Sequence, residues 1–330
     1  MFYGIWRWTE MIQVSGLGRL KLIQLFTLSL VFGAISGILS LVLWYSGASG
    51  MGGVMFALLL SCVMIFIQWL IGPSLIRMMT RMKEVSEEQA PDLHAIVGKF
   101  AKDAKIPKPK LYLVNDPTPN AFAFGRTQSS SGIAVHTGLL NILNKEEVEG
   151  VLAHEIAHIK HKDVLVMTVA SVLPIMLYFL VIVLGSGNRD REGRGGNALV
   201  VFIGAQMASF LGQLLVMWLS RQREYYADAY SAIATKKPIA LMRSLAKIGY
   251  SMPKNAEKNT ALSAFYISDP KPEEREGMRE IVAAIASGNE KNMVEKIEAE
   301  KKRGFLEIFM THPITAKRLD ALIKLNKEIA

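Results

Sequence analysis

Val151-Leu152-Ala153-His154-Glu155-Ile156-Ala157-His158 sets two imidazoles four residues apart, with a carboxylate directly after the first. On an α-helix those two positions lie one above the other on one face, so two ring nitrogens can converge on a single tetrahedral ion. Glu155 then projects about 100° around the helix from His154. From there its carboxylate can reach a metal-bound water without taking a ligand position. The pattern predicts metal-assisted hydrolysis, and it does so only if the segment is helical.

The flanking residues support a helix. Asn144 followed by Glu147 is a capping-box arrangement, a side-chain oxygen for the first free N–H groups and a carboxylate reaching back. Val148, Leu152, Ile156 and Ile159 recur near helical spacing and supply an apolar face. Between Lys145 and Asp163 only Gly150 interrupts, so one helix is predicted over 145–163.

Outward from this helix the chain turns strongly apolar. Of its 330 residues 51% are hydrophobic, and they concentrate in 22–45, 53–72, 164–185 and 198–219, stretches without Lys, Arg, Asp or Glu. Each matches the length that crosses a bilayer core, which predicts four transmembrane helices in two hairpins. The first begins after a 21-residue leader and reads as a retained anchor, longer than the apolar region of a cleaved signal. Arg7, Arg19 and Lys21 precede it, and Arg77, Arg81 and Lys83 follow span two. Lys160 and Lys162 precede span three, and Arg221 and Arg223 follow span four. The positive-inside rule therefore places both hydrophilic portions, 73–163 and 220–330, and both termini on the cytoplasmic side of a multi-pass cell-membrane protein. Arg189, Arg191 and Arg194, in the loop 186–197, oppose that orientation locally.

The net charge of +9 suits segments held against anionic lipid. No basic-aromatic module or zinc-finger spacing supports a nucleic-acid partner. The single cysteine, Cys62, excludes a disulfide framework or a cysteine-based zinc site within one chain.

The polar portions read as a small helix-plus-sheet unit. Ser86–Lys105 is a predicted amphipathic helix ended by Pro107; Lys110–Val114, Asn120–Gly125 and Gly132–Val135 are predicted strands; Arg126–Ser131 is a polar turn, and Thr137–Leu143 leads into the metal helix. A further helix starts at Ser220. The charged stretch 253–303 reads as a mobile surface insertion with short helices, and Thr311-His312-Pro313 as the opening of the last helix.

A catalytic zinc needs three protein ligands and one open position. His161 lies seven residues from His154, displaced roughly 10 Å along the axis, too far to close around the same ion; it reads as a polar residue near the membrane interface. The better source is Ser220-Arg221-Gln222-Arg223-Glu224-Tyr225-Tyr226-Ala227-Asp228. Glu224 and Asp228 are one helical turn apart, so one can bind metal while the other accepts from a ligand histidine. Spacing alone equally allows a solvated helix with ordinary surface charges.

The chain resembles the HtpX family of membrane zinc metallopeptidases, and more distantly the type I CAAX prenyl proteases. The resemblance rests on Asn120–Gly125, Ala134–Leu140, His154–His158, Ser220–Asp228, and Thr311-His312-Pro313 with Arg318 and Leu319 behind it, in that order. It implies an α+β membrane protein: four transmembrane helices and a mostly helical, zincin-like (gluzincin) catalytic domain bearing a small β-sheet. By the same resemblance His154, His158 and Glu224 bind one Zn2+, Glu155 is the general base, and Asp228 orients a ligand histidine. Asn120 would lie in the edge strand beside the cleft, where an extended substrate can add as a strand. His312 would face the metal and stabilise the developing oxyanion, although Thr-His-Pro also reads as a helix cap. His136, Phe124 and Ile314 depart from the family pattern, and His136 reads as a surface polar residue.

The expected function is zinc-dependent endoproteolysis of misfolded or damaged membrane proteins at the cytoplasmic face, in membrane-protein quality control. A prenyl-protein protease is the alternative, for which more spans are expected. A non-catalytic metal-binding membrane protein would be expected to lose Glu155 or a ligand, and a transporter to carry ionisable groups within its spans.

Overall fold

The computed structural model of the chain describes residues 51–170, 198–252, 274–303 and 312–329, with 173, 174, 177 and 181. Two compact units emerge: Met1–Ile71 with Leu165–Leu219, and Gly72–Val164 with Ser220–Ala330. The elements are α1 (Met51–Thr80), β1 (Lys83–Glu84), α2 (Pro91–Ala104), β2 (Lys110–Val114), β3 (Ala121–Phe124), β4 (Gly132–His136), α3 (Thr137–Ile142), α4 (Lys145–Lys160), α5 (Asp163–Ala170), α6 (Ala198–Thr235), α7 (Pro238–Ser251), α8 (Glu274–Ala286), α9 (Glu290–Arg303) and α10 (Thr315–Ile329). The protein is thus mostly helical α+β with one small sheet.

In the first unit, Phe66, Ile67 and Leu70 of α1 and Met207, Phe210 and Leu211 of α6 are exposed. Among the described residues one helical stretch, Ile203–Thr235, is long and apolar enough to cross a membrane. The predicted second span falls within α1 and the fourth within α6, while the first, half of the third and the loop 186–197 lie outside the described residues.

In the second unit the strands run in the order β1-β2-β4-β3, with β2 and β4 parallel and the outer pairs antiparallel. Strand β3 is an edge. Alternation sends Leu111, Ala121, Ala123, Ile133 and Val135 toward the helical core. Tyr112, Val114, Phe122, Phe124 and Ala134 face the other way, where Ile76 of α1 packs and the Arg77 guanidinium lies 5.4 Å from the Tyr112 ring centroid.

Helix α4 runs through the middle of this unit. Its capping box is formed: Glu147 N donates to Asn144 Oδ1 at 3.0 Å and Asn144 N to Glu147 Oε2 at 2.9 Å. The predicted single apolar face is an understatement, because every residue from Gly150 to Ala157 is buried, with Leu152 and Ile156 at 0% exposure. Burying each of those two side chains contributes about 1.5–3 kcal/mol. Gly150 is the residue that admits α7: a Cβ there would stand 3.3 Å from Leu241 Cα. On the same turn its carbonyl accepts from Ser231 Oγ of α6 at 2.6 Å.

Three predicted helix boundaries shift. Helix α2 starts at Pro91 rather than Ser86, since Ser86 to Ala90 close a turn, with Ala90 N donating to Ser86 O at 3.1 Å. Pro91 has no N–H and fits only a first helical turn. Helix α4 stops at Lys160, and Lys162, with φ 58°, redirects the chain so that Asp163 opens α5. The last helix begins at Thr315, so His312 and Pro313 lie outside it. Thr311 is outside the described residues.

The charged stretch gives the largest correction. Residues 253–273 lie outside the described ones, but α8 and α9 are not surface additions. Met278, Ile281 and Ile285 of α8 and Met293 and Ile297 of α9 are buried in the main core. Many of their other residues are charged, which hid an apolar stripe at helical spacing.

Candidate metal centre

Helix α4 supplies His154 and His158, and α6 supplies Glu224, with one ligand-type atom from each within 4.8 Å of the others. The two Nε2 atoms are 3.0 Å apart. Glu224 Oε2 lies 3.5 Å from His154 Nε2, and Oε1 lies 3.5 Å from His158 Nε2. Both imidazoles therefore turn the same nitrogen toward one point and the other nitrogen away from it.

Each outward nitrogen meets an aspartate. His154 Nδ1 is 3.0 Å from Asp228 Oδ1, and His158 Nδ1 donates to Asp163 Oδ2 at 2.7 Å. Arg318 of α10 closes the first arm from behind, donating through Nε and Nη2 to Asp228 at 2.7 Å each and placing Nη1 3.1 Å from Glu224 Oε2. Arg223 stands behind the second, its Nε 3.0 Å from Asp163 Oδ1.

The electrostatics follow from deep burial. Burial would raise the Glu224 carboxyl, but the Arg318 and His312 charges and a bond from His154 hold it well below the carboxylate range. Burial opposes protonation of His154, yet Asp228 and Glu224 overrule it and push its pKa up to about 10. Glu155 responds in the other direction: burial raises its pKa above the usual range, and the attraction of His158 and His154 only moderates this. A raised carboxylate pKa moves the group toward the neutral range where general bases work.

The donor set fits a divalent cation. Two imidazole nitrogens and one carboxylate oxygen are a three-ligand set that leaves a fourth position open. Charge agrees: Glu155, Asp163, Glu224 and Asp228 are buried beside Arg223 and Arg318, so with neutral imidazoles these six groups carry two uncompensated negative charges.

The other expected site residues fall at defined distances from this centre. Glu155 receives a hydrogen bond from the backbone of Ala123, which puts the edge strand β3 against it. Asn120 is buried immediately before β3, and its carbonyl accepts from His136 N at 2.9 Å. His312 is buried, its Nδ1 3.5 Å from Glu224 Oε1. It is no helix cap, because α10 starts three residues later.

Two histidines differ from their sequence reading. His136 is buried, not on the surface, its Nδ1 donating to Thr118 O at 3.1 Å. His161 caps α4 with its ring 6.3 Å from that of Tyr230, and burial lowers its pKa to about 4. It stays out of the metal cluster.

Asp163, Arg223 and Arg318 are members of this site to which the sequence assigns no part in the metal centre. The repeat of the Asp–Arg pairing is visible only once the chain is folded.

The sequence profile of peptidase family M48 matches residues 87–326. A protein described as "Protease HtpX homolog" from Methanothermobacter thermautotrophicus is 41% identical over 230 residues, covering 70% of this chain and 86% of the relative. Another from Streptococcus gordonii is 32% identical over 316 residues, covering 92% and 95%. The crystal structure of S. mikatae Ste24p aligns with a TM-score of 0.48 at 18% identity, covering 97% of this chain and 67% of that one.

Proposed function

The chain belongs to peptidase family M48 and is a membrane-associated metalloprotease, and we propose that it is a zinc-dependent endopeptidase that cuts misfolded or damaged membrane proteins at the cytoplasmic face. The observation that carries this is the convergence of His154, His158 and Glu224 beside the buried Glu155. His154, His158 and Glu224 would hold the ion. Bound there, zinc would supply a Lewis acid that lowers the pKa of water toward ~7 and polarises a carbonyl.

The chain's own groups do the rest. An extended peptide would add along the outer edge of β3, its backbone pairing as a further strand with Asn120 at the strand's start. That places its carbonyls beside Glu155, which touches the same strand through Ala123. Glu155 takes a proton from the attacking water and delivers it to the amide nitrogen as the C–N bond breaks. His312 would donate to the carbonyl oxygen as charge develops on it. Asp228 keeps the proton of His154 on Nδ1, which leaves Nε2 free to act as a ligand.

The proposed setting is four spans in two hairpins, with the catalytic parts and both termini in the cytoplasm. The positive-inside pattern and the apolar stretch Ile203–Thr235 support it. Purified protein should contain one zinc per chain and cleave a model membrane protein, and a chelator should stop the cleavage until zinc is restored. Proteolysis that survives complete removal of metal would refute the proposal.

A further inference from the structure

Asp163 has no part in the reaction above, yet it is 1% exposed and both its oxygens are engaged, one by His158 Nδ1 at 2.7 Å and one by Arg223 Nε at 3.0 Å. Arg223 is itself 8% exposed. Taking two such charges out of water costs several kcal/mol per ion, so packing alone does not account for them. The arrangement also repeats. On the other histidine, His154 meets Asp228 at 3.0 Å, and Asp228 is gripped by Arg318 at 2.7 Å.

We infer that Asp163 and Arg223 are a positioning pair for His158, doing from α5 and α6 what Asp228 and Arg318 do for His154; the inference rests on the zinc reading of the site. An imidazole can present either nitrogen to a metal, and the hydrogen bond at one nitrogen decides which. A carboxylate accepts only, so the proton of His158 sits on Nδ1 and the Nε2 lone pair is aimed at the point shared with His154 and Glu224. Arg223 holds the carboxylate in place from its other oxygen. The local backbone serves the same end. Helix α4 ends at Lys160, Lys162 turns at φ 58°, and Asp163 is thereby returned to the histidine five residues before it. Asp163 touches neither the proposed water nor the substrate strand, so it acts through His158.

The test is competition between the full-length protein and a fluorescent zinc chelator, with cobalt-substituted protein read by its ligand-field absorption. Asp163→Asn and Asp163→Ala should weaken zinc binding by ~10–100-fold and change the cobalt spectrum, because the histidine donor is no longer fixed. Arg223→Lys keeps a cation but loses the guanidinium geometry, and should give a smaller loss in the same direction. Should the single variants fail to fold, the charge-neutral pair Asp163→Asn with Arg223→Gln answers the same question. Zinc affinity within twofold of wild type together with an unchanged cobalt spectrum overturns the inference and leaves the metal reading standing. A wild-type protein that binds no zinc overturns both.

Discussion

Replacing Arg318 by Ala tests whether the last helix belongs to the metal centre. The side chain is 1% exposed, makes two 2.7 Å bonds to Asp228 and approaches Glu224 at 3.1 Å. Its removal leaves two carboxylates buried without their cation. Breaking a buried ion pair by deleting one partner costs about 3–5 kcal/mol, because the charge left behind is uncompensated. In a unit of roughly 200 residues, where 1 kcal/mol corresponds to about 2–4 °C, the melting temperature should fall by about 6–20 °C. The comparison is made on metal-chelated protein in detergent, at one scan rate because unfolding of such proteins is often irreversible. Adding Asp228→Ala removes one of the stranded charges. The double variant should then be more stable than the sum of the two single effects by ~1–3 kcal/mol. If Arg318→Ala melts within about 1 °C of wild type and the two effects simply add, Arg318 does not compensate these carboxylates and the reasoning fails.

Glu155→Gln should abolish peptide hydrolysis while zinc stays bound at normal stoichiometry; a zinc-free variant would mean that Glu155 coordinates the ion. Glu224→Ala should lose zinc, Asp228→Ala should weaken it by ~10–100-fold, and His161→Ala should leave it unchanged, as metal analysis of the three proteins will show. Zinc binding to metal-free protein should release about one proton, the one His154 holds in the absence of metal, measurable by calorimetry in buffers of different ionisation enthalpy; no release would contradict a protonated His154. A cysteine at Gly193 should be labelled from outside the cell and one at Lys145 protected, whereas equal protection would mean that the second hairpin does not cross.

The metal helix was legible because its information is local. Asn144 and Glu147 cap each other across three residues, and His154 and His158 share a face by helical geometry alone. The strands 110–114 and 132–136 were legible for the same reason, as short apolar runs bounded by Pro, Gly and Ser. What failed depended on distant partners. Glu276, Arg279 and Lys296 mark 274–303 as a solvated surface, and only the docked helices show that Met278, Ile281 and Ile297 reach the core. Pro91 is a local signal that overrides the amphipathic pattern: it fixes the start of α2, five residues past Ser86. Asp163 was invisible for a third reason. Its contact with His158 depends on a left-handed turn at Lys162, a conformation usually announced by Gly or Asn, and Lys announces nothing.

Arg223 and Arg318 teach the same lesson from the side of charge. In sequence they look like ordinary surface cations, and positive-inside reasoning counts Arg223 as a topological marker. In the fold they offset two of four buried carboxylates, and the other two are offset differently with and without metal. A divalent cation neutralises the cluster directly. In its absence protons relieve the crowding of negative charge: Asp228 and Glu224 push the pKa of His154 up to about 10 against the effect of burial, and burial raises that of Glu155. Neither arginine can take part in that exchange, since a guanidinium stays charged at any working pH. The two Asp–Arg pairs therefore act as a fixed frame, within which His154, Glu155 and the proposed ion trade protons for metal.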